Sequence, residues 1–264
     1  MPQEASNAKE ELSGLAALVA GARWRTTAVL SISVAGWALL TWMALDMGHP
    51  LVQLTMPDSP GWSVANVIAM LLMWAVMMAA MMLPSALPMI LAFGHLSARS
   101  GEPGRARVFV AAYLVVWTAF SIAATALQWG LQALEWVDPM IVSMSPSLNG
   151  VLLLVAGIYQ FTPLKTVCLA NCRTPFGFLV GDWKPGAGGA FRMGLRHGAL
   201  CVGCCWAVMG LLFVGGVMNL RWIAALSVVV AIEKMAPRGE LLGKVLGIAM
   251  ILAGAAKLVS VLTA

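Results

Sequence analysis

The sequence predicts an all-α fold, a polytopic membrane helix bundle of about seven transmembrane helices, and three observations carry that expectation. The chain is 61% hydrophobic and only 10% charged, against roughly 25% charged residues in a soluble domain. With a mean hydropathy of +0.88, it holds more apolar surface than one globular core can hide. The apolar residues are also gathered into runs close to the ~20 residues a helix needs to cross a hydrocarbon layer. Finally, the basic residues fall between those runs rather than in clusters interleaved with aromatics. The net charge of +5 therefore reads as a topology signal, and no nucleic-acid partner is expected.

Residues 1–22 are polar and of mixed charge (Glu4, Lys9, Glu10, Glu11), with no clear leader-cleavage site. They are read as a cytoplasmic polar tail, either a short surface helix or disordered, ahead of a single transmembrane helical domain over 23–264. Apolar stretches follow at about 26–45, 63–83 (with a continuation to 93), 108–131, 147–163, 198–217 and 241–262. A shorter one, 220–234, opens near Arg221. Backbone polar groups find no water in lipid, so each stretch is expected to be helical. Pro84 and Pro88 are expected to kink or break the second. The segment 164–196, rich in glycine and proline, reads as the longest loop on its side.

Seven spans with a cytoplasmic N-terminus place four basic groups on the cytoplasmic side. These are Lys9, Arg23 and Arg25; Arg99, Arg105 and Arg107; Lys165, Arg173, Lys184, Arg192 and Arg196; and Lys234, Arg238 and Lys244. Of the 16 basic residues only Arg221 and Lys257 remain opposite, a strong positive-inside bias. Omitting the short stretch would move Lys234, Arg238 and Lys244 outward and weaken it.

All five cysteines lie in two clusters beside these stretches, Cys168 with Cys172, and Cys201, Cys204 and Cys205 preceded by His197. At 100° per residue, His197, Cys201, Cys204 and Cys205 share about a 100° arc, one face of a helix. Cys168 and Cys172 are four residues apart and share a face if their segment is helical. Reducing conditions in the cytoplasm leave such thiols free, and Lys165, Arg173 and Arg196 nearby would favour thiolate. Thiolates with an imidazole suit a soft metal ion or thiol redox chemistry. The competing reading is that cysteine is a small residue at helix contacts.

The second span adds Met70, Met73, Met77 and Met81 in a stripe about 80° wide, with Met78 and Met82 at its side. Thioethers are uncharged soft ligands that suit Cu(I), although methionine also fills packing gaps. Glu233 beside Lys234 reads as a pair at the membrane edge. No GxSxG, phosphate-cradling glycine loop or HExxH pattern occurs, so the reading leans away from an enzyme.

Several motifs together resemble one family. They are Met73-Trp74-Ala75-Val76-Met77-Met78-Ala79-Ala80-Met81-Met82-Leu83-Pro84-Ser85, then Gly157-Ile158-Tyr159-Gln160 through Pro163 and Lys165 to Cys168-Leu169-Ala170-Asn171-Cys172-Arg173. His197-Gly198 through Cys201, Cys204-Cys205-Trp206 follows, then Gly216-Val217-Met218-Asn219-Leu220 and Glu233-Lys234. The pattern is similar, over roughly 60–255, to the bacterial predicted metal-binding integral membrane proteins. The resemblance implies a multi-pass protein of the bacterial cytoplasmic (inner) membrane. It also implies metal binding at Cys168, Cys172, His197, Cys201, Cys204, Cys205 and the paired methionines, with copper the suggested ion.

Three functions are expected in descending order. The first is Cu(I) handling as a chaperone, transporter or site-loading factor, with zinc as the alternative ion and a metal donor or acceptor protein as partner. The second is a non-catalytic assembly partner of a larger membrane complex. The third is a membrane thiol-redox enzyme, disfavoured because adjacent cysteines form a strained bridge.

Overall fold

The computed structural model describes residues 2–57, 61–138, 141 and 145–263. Among them the elements are helices: α1 (Pro2–Leu45), α2 (Pro50–Gln53), α3 (Val64–Arg99), α4 (Arg105–Ala133), α5 (Pro146–Tyr159), α6 (Pro163–Arg173), α7 (Pro175–Asp182), α8 (Gly186–Gly210), α9 (Leu212–Gly215), α10 (Leu220–Met235) and α11 (Gly239–Leu262). Five of the seven apolar stretches each fall on a single helix, whereas 147–163 runs across the break between α5 and α6 and 198–217 runs across α8 and α9 and ends beyond Gly215. Five segments are long and apolar enough to cross a membrane: Gly21–Leu45 of α1, α3, α4, Gly186–Gly215 (α8 with α9) and α11. α5 and α6 pass the same test only together, as a pair bent by 64° at a short break, the form of a broken span or of a re-entrant loop. α10 has 16 residues, a little under the length of a full crossing.

Where chain breaks were expected, the structure is more continuous. The polar tail and the first span form one 44-residue helix. Pro84 and Pro88 lie inside α3 without ending it. The segment 164–196 is not a loop; it is α6, α7 and the first turns of α8. Its prolines start helices instead of stopping them. Pro163 and Pro175 sit in first turns, where the absent N–H would have had no intrahelical partner and the fixed φ already suits the helix. Thr162 caps α6 by accepting from the Lys165 backbone N–H at 3.3 Å.

α3, α4 and α8 form the centre, with α1 laid on α3, α6 on α8, and α11 paired with α5. The methionine face of α3 is turned inward, and Met70, Met73, Met77, Met78, Met81, Met82 and Met89 are all buried. The outer surface is apolar, with Leu241, Val245, Ile248, Leu252 and Val259 of α11 exposed. An apolar exterior over a polar-studded interior is the distribution that lipid as solvent allows.

Helices α4 and α8 approach closely because α8 offers glycine at the contact. A Cβ on Gly194 would collide with the Phe109 carbonyl and the Ala112 methyl, and one on Gly198 would press on Val116. Gly188, on the same helix, faces open space. Gly194→Ala is expected to lower stability by about 1–3 kcal/mol despite alanine's better helix propensity. Gly188→Ala should be neutral or stabilising in the same thermal unfolding measurement in detergent.

Candidate functional site

The face of α8 that carries His197, Cys201, Cys204 and Cys205 is buried, and Cys201 is its hub. The Lys234 ammonium of α10 donates to Cys201 Sγ at 2.9 Å, and the Tyr113 hydroxyl of α4 lies 3.1 Å from the same sulfur. Lys234 Nζ also donates to Ser85 Oγ of α3 at 3.2 Å. The hydroxyls of Tyr113 and Ser85 both donate to the Met82 carbonyl, at 3.2 and 2.9 Å. Four helices thus meet around one thiol.

The other thiols surround it. Cys204 and Cys205 each donate Sγ–H to the Cys201 carbonyl, at 3.1 and 3.0 Å. From α6, Cys172 brings a further thiol alongside those of Cys201 and Cys204. Cys168 lies one turn earlier on α6, its sulfur 2.8 Å from where a Cβ on Gly203 would be; a side chain there would drive α6 off α8. All five thiols are free.

His197 sits one turn before Cys201 in an aromatic box. Its ring stacks on Phe109 and Tyr113, with centroids 5.8 and 5.6 Å away, and Phe178 closes the third side at 5.8 Å. Its Nδ1 is buried with no hydrogen-bond partner. Among the described residues, no three His, Cys, Asp or Glu side chains stand ready as a metal cage. The physical reason lies in the hydrogen bonds: two thiols are turned toward a carbonyl and a third toward an ammonium.

The basic residues expected to act on the thiols are engaged elsewhere. Lys165 Nζ pairs with Glu233 Oε2 at 2.7 Å, both nearly dry. Arg173 donates to the Ala236 and Pro237 carbonyls, and the Arg196 guanidinium lies over Phe178. Glu233 and Lys234 therefore do not pair with each other at an edge. They diverge inward, Glu233 to α6 and Lys234 to Cys201. Sequence reasoning missed Lys234, Tyr113 and Ser85; the available signal was a lysine within an apolar stretch, where a charge must find a partner.

The methionine stripe runs beside the cluster. Met82 shares the Tyr113 hydroxyl with Cys201, so this end of the stripe lies level with the thiols, and Met70 is about 18 Å away along the helix axis. At that far end Gln128 Nε2 donates to Met70 Sδ at 3.1 Å, while its Oε1 accepts from Trp74 Nε1 at 2.8 Å. Met70, Met73, Met77 and Met81 line the packed interior.

A family model described as PpoB2, copper chaperone, matches residues 71–257, and the chain belongs to that family. The matched region takes in α6, α8 and α10 and all but the first turns of α3. No curated protein and no solved structure matches the chain.

The Lys165–Glu233 pair yields a prediction independent of any ligand. Lys165→Met strands a buried carboxylate and is expected to cost about 3–5 kcal/mol. Lys165→Met with Glu233→Gln should recover most of it. A double-mutant cycle on thermal unfolding reads both, and equal losses in the single and double variants would contradict the pairing.

Proposed function

We propose that the chain is an integral membrane Cu(I)-binding chaperone, with Cu(I) as cargo at the thiols of Cys201, Cys204, Cys205 and Cys172. The observation that carries this reading is the convergence of a thiol from α6 on three from α8 inside the bundle. Soft thiolates select Cu(I) over hard cations, and a cluster drawn from two elements can gain or lose one ligand when α6 moves. Cys168 and His197 flank the cluster as additional donors. The orphan Nδ1 of His197 would be satisfied by an ion or a proton arriving from the Cys201 side.

The buried methionines of α3 are proposed as the relay. Uncharged thioethers can hold Cu(I) inside an apolar bundle without the desolvation cost a carboxylate would bring. Membership of a copper chaperone family favours copper over zinc as the ion. Transfer would run to or from a metal donor or acceptor protein by ligand exchange.

The sidedness proposed is N-terminus in the cytoplasm of a bacterial inner membrane, with α10 and the bent α5–α6 pair each counted as a crossing. The distribution of basic residues supports it, as does the exposure of Arg192 and Arg196 on the first turns of α8. The thiols then lie a few turns inside the cytoplasmic end. A periplasm-dependent alkaline phosphatase fused after residue 264 should be active, and a cytoplasm-dependent fluorescent protein at the same place dark; the reverse would overturn the orientation.

Anaerobic competition against a chromogenic Cu(I) chelator tests the binding. The chain should withdraw Cu(I) from the chelator, and Cys201→Ser with Cys204→Ser and Cys205→Ser should weaken it by at least about tenfold. Unchanged competition by a folded triple variant would leave the cysteines as packing residues. Met77→Leu with Met81→Leu should leave equilibrium affinity nearly intact and slow loading in stopped-flow, because a relay acts on rates.

A further inference from the structure

A second polar constellation lies apart from the thiols, at the break between α5 and α6. Gln160 ends α5 and is 4% exposed; Glu233 and Lys165 are 2% and 3% exposed. Lys165 occupies one carboxylate oxygen of Glu233. The other, Oε1, has no hydrogen-bond partner among the described residues, and neither does Gln160 Oε1 or Nε2. Both free oxygens face the same bare point on α11. A Cβ built on Gly243 would lie 2.9 Å from Glu233 Oε1 and 3.3 Å from Gln160 Oε1. Three orphaned side-chain atoms are gathered beside one ion pair, where two helices part by 64°. The backbone N–H groups of the break are bonded within the chain, so it is the side chains that call for a partner, because buried polar groups are normally satisfied.

We propose that Gln160, Glu233 and Lys165 form a buried water-binding site at the α5–α6 break. The donor and acceptor inventory selects the ligand. Water can donate one hydrogen to Glu233 Oε1 and the other to the Gln160 carbonyl while accepting from the Lys165 ammonium. A second water, or the same one after reorientation, meets the Gln160 amide hydrogens. This provides the two to four polar partners that an internal water requires. A monovalent cation fits less well, because Lys165 already neutralises Glu233 and an added positive charge would be uncompensated inside the bundle. Gly243 is what leaves room, since any larger residue there would place carbon against both oxygens. The inference uses no thiol and stands or falls separately from copper binding.

The test is structure determination of the full chain in lipid nanodiscs, at a resolution that shows ordered water, in sodium-containing and sodium-free buffer. The expected result is density within hydrogen-bond distance of both Glu233 Oε1 and the Gln160 amide, the same in both buffers, and lost in Gln160→Met. Gln160 bonded directly to Glu233 with no density between them would overturn the proposal, and so would density that appears only with sodium. If Gln160→Met fails to fold, the unaltered chain alone decides, because the dry and sodium-dependent outcomes are both read from it.

Discussion

An ammonium withdrawn from water among apolar helices has to find charge or dipoles in its protein neighbours, and the centre of this bundle is arranged around where Lys234 finds them. Its partners are the Cys201 sulfur and the Ser85 hydroxyl. The sulfur is the only one of the two that can carry a compensating charge. Through Cys201 the lysine also meets Tyr113, and through Tyr113 the Met82 carbonyl in the proline-flanked part of α3. α3, α4, α8 and α10 are thereby held in register at the height of the thiols. A cation arriving at Cys201 would have to take the place of this ammonium, so the contact that organises the cluster also sets the condition for binding there.

A second ion pair does complementary work. Lys165 and Cys172 are seven residues apart on α6, two turns along one face, and Cys168 and Leu169 lie between them on that same buried side. Lys165–Glu233 and the Arg173 contacts with Ala236 and Pro237 fasten α6 to the end of α10, beside the residue that holds Cys201. The thiol contributed by α6 therefore reaches the cluster through an electrostatic attachment, whereas those of α8 are fixed by the helix itself. For a member of a copper chaperone family, such a division suits an ion that must be both held and handed on.

Much of this was legible in the sequence wherever a single helix determined the outcome. Five of the apolar stretches became single helices, the 100° arc from His197 to Cys205 became a buried face of α8, and the methionine stripe became the buried face of α3, because helical periodicity translates directly into burial. Sequence reasoning went astray where local and tertiary effects compete. The stretch 147–163 read as one helix and 164–196 as a loop, although Thr162-Pro163 and Thr174-Pro175 each carry the signature of a helix start. Of the kink or break expected at Pro84 and Pro88, the break does not occur, and α3 runs on through both prolines, clasped by α1 and α4. The partners of Lys165 and Lys234 lie 68 and 33 residues away, and no spacing rule reaches that far. Adjacent opposite charges at 233 and 234 suggested a local pair, yet neighbours on a helix point about 100° apart, and each side chain found its partner on a different element.

Whether thiols from α6 and α8 together take Cu(I) is read most directly by X-ray absorption at the copper edge of the Cu(I)-loaded chain. The expected spectrum has a first shell made of sulfur that loses one sulfur in Cys172→Ser and keeps its full number in Cys168→Ser. A shell dominated by nitrogen or oxygen, or a sulfur shell indifferent to Cys172, would contradict it.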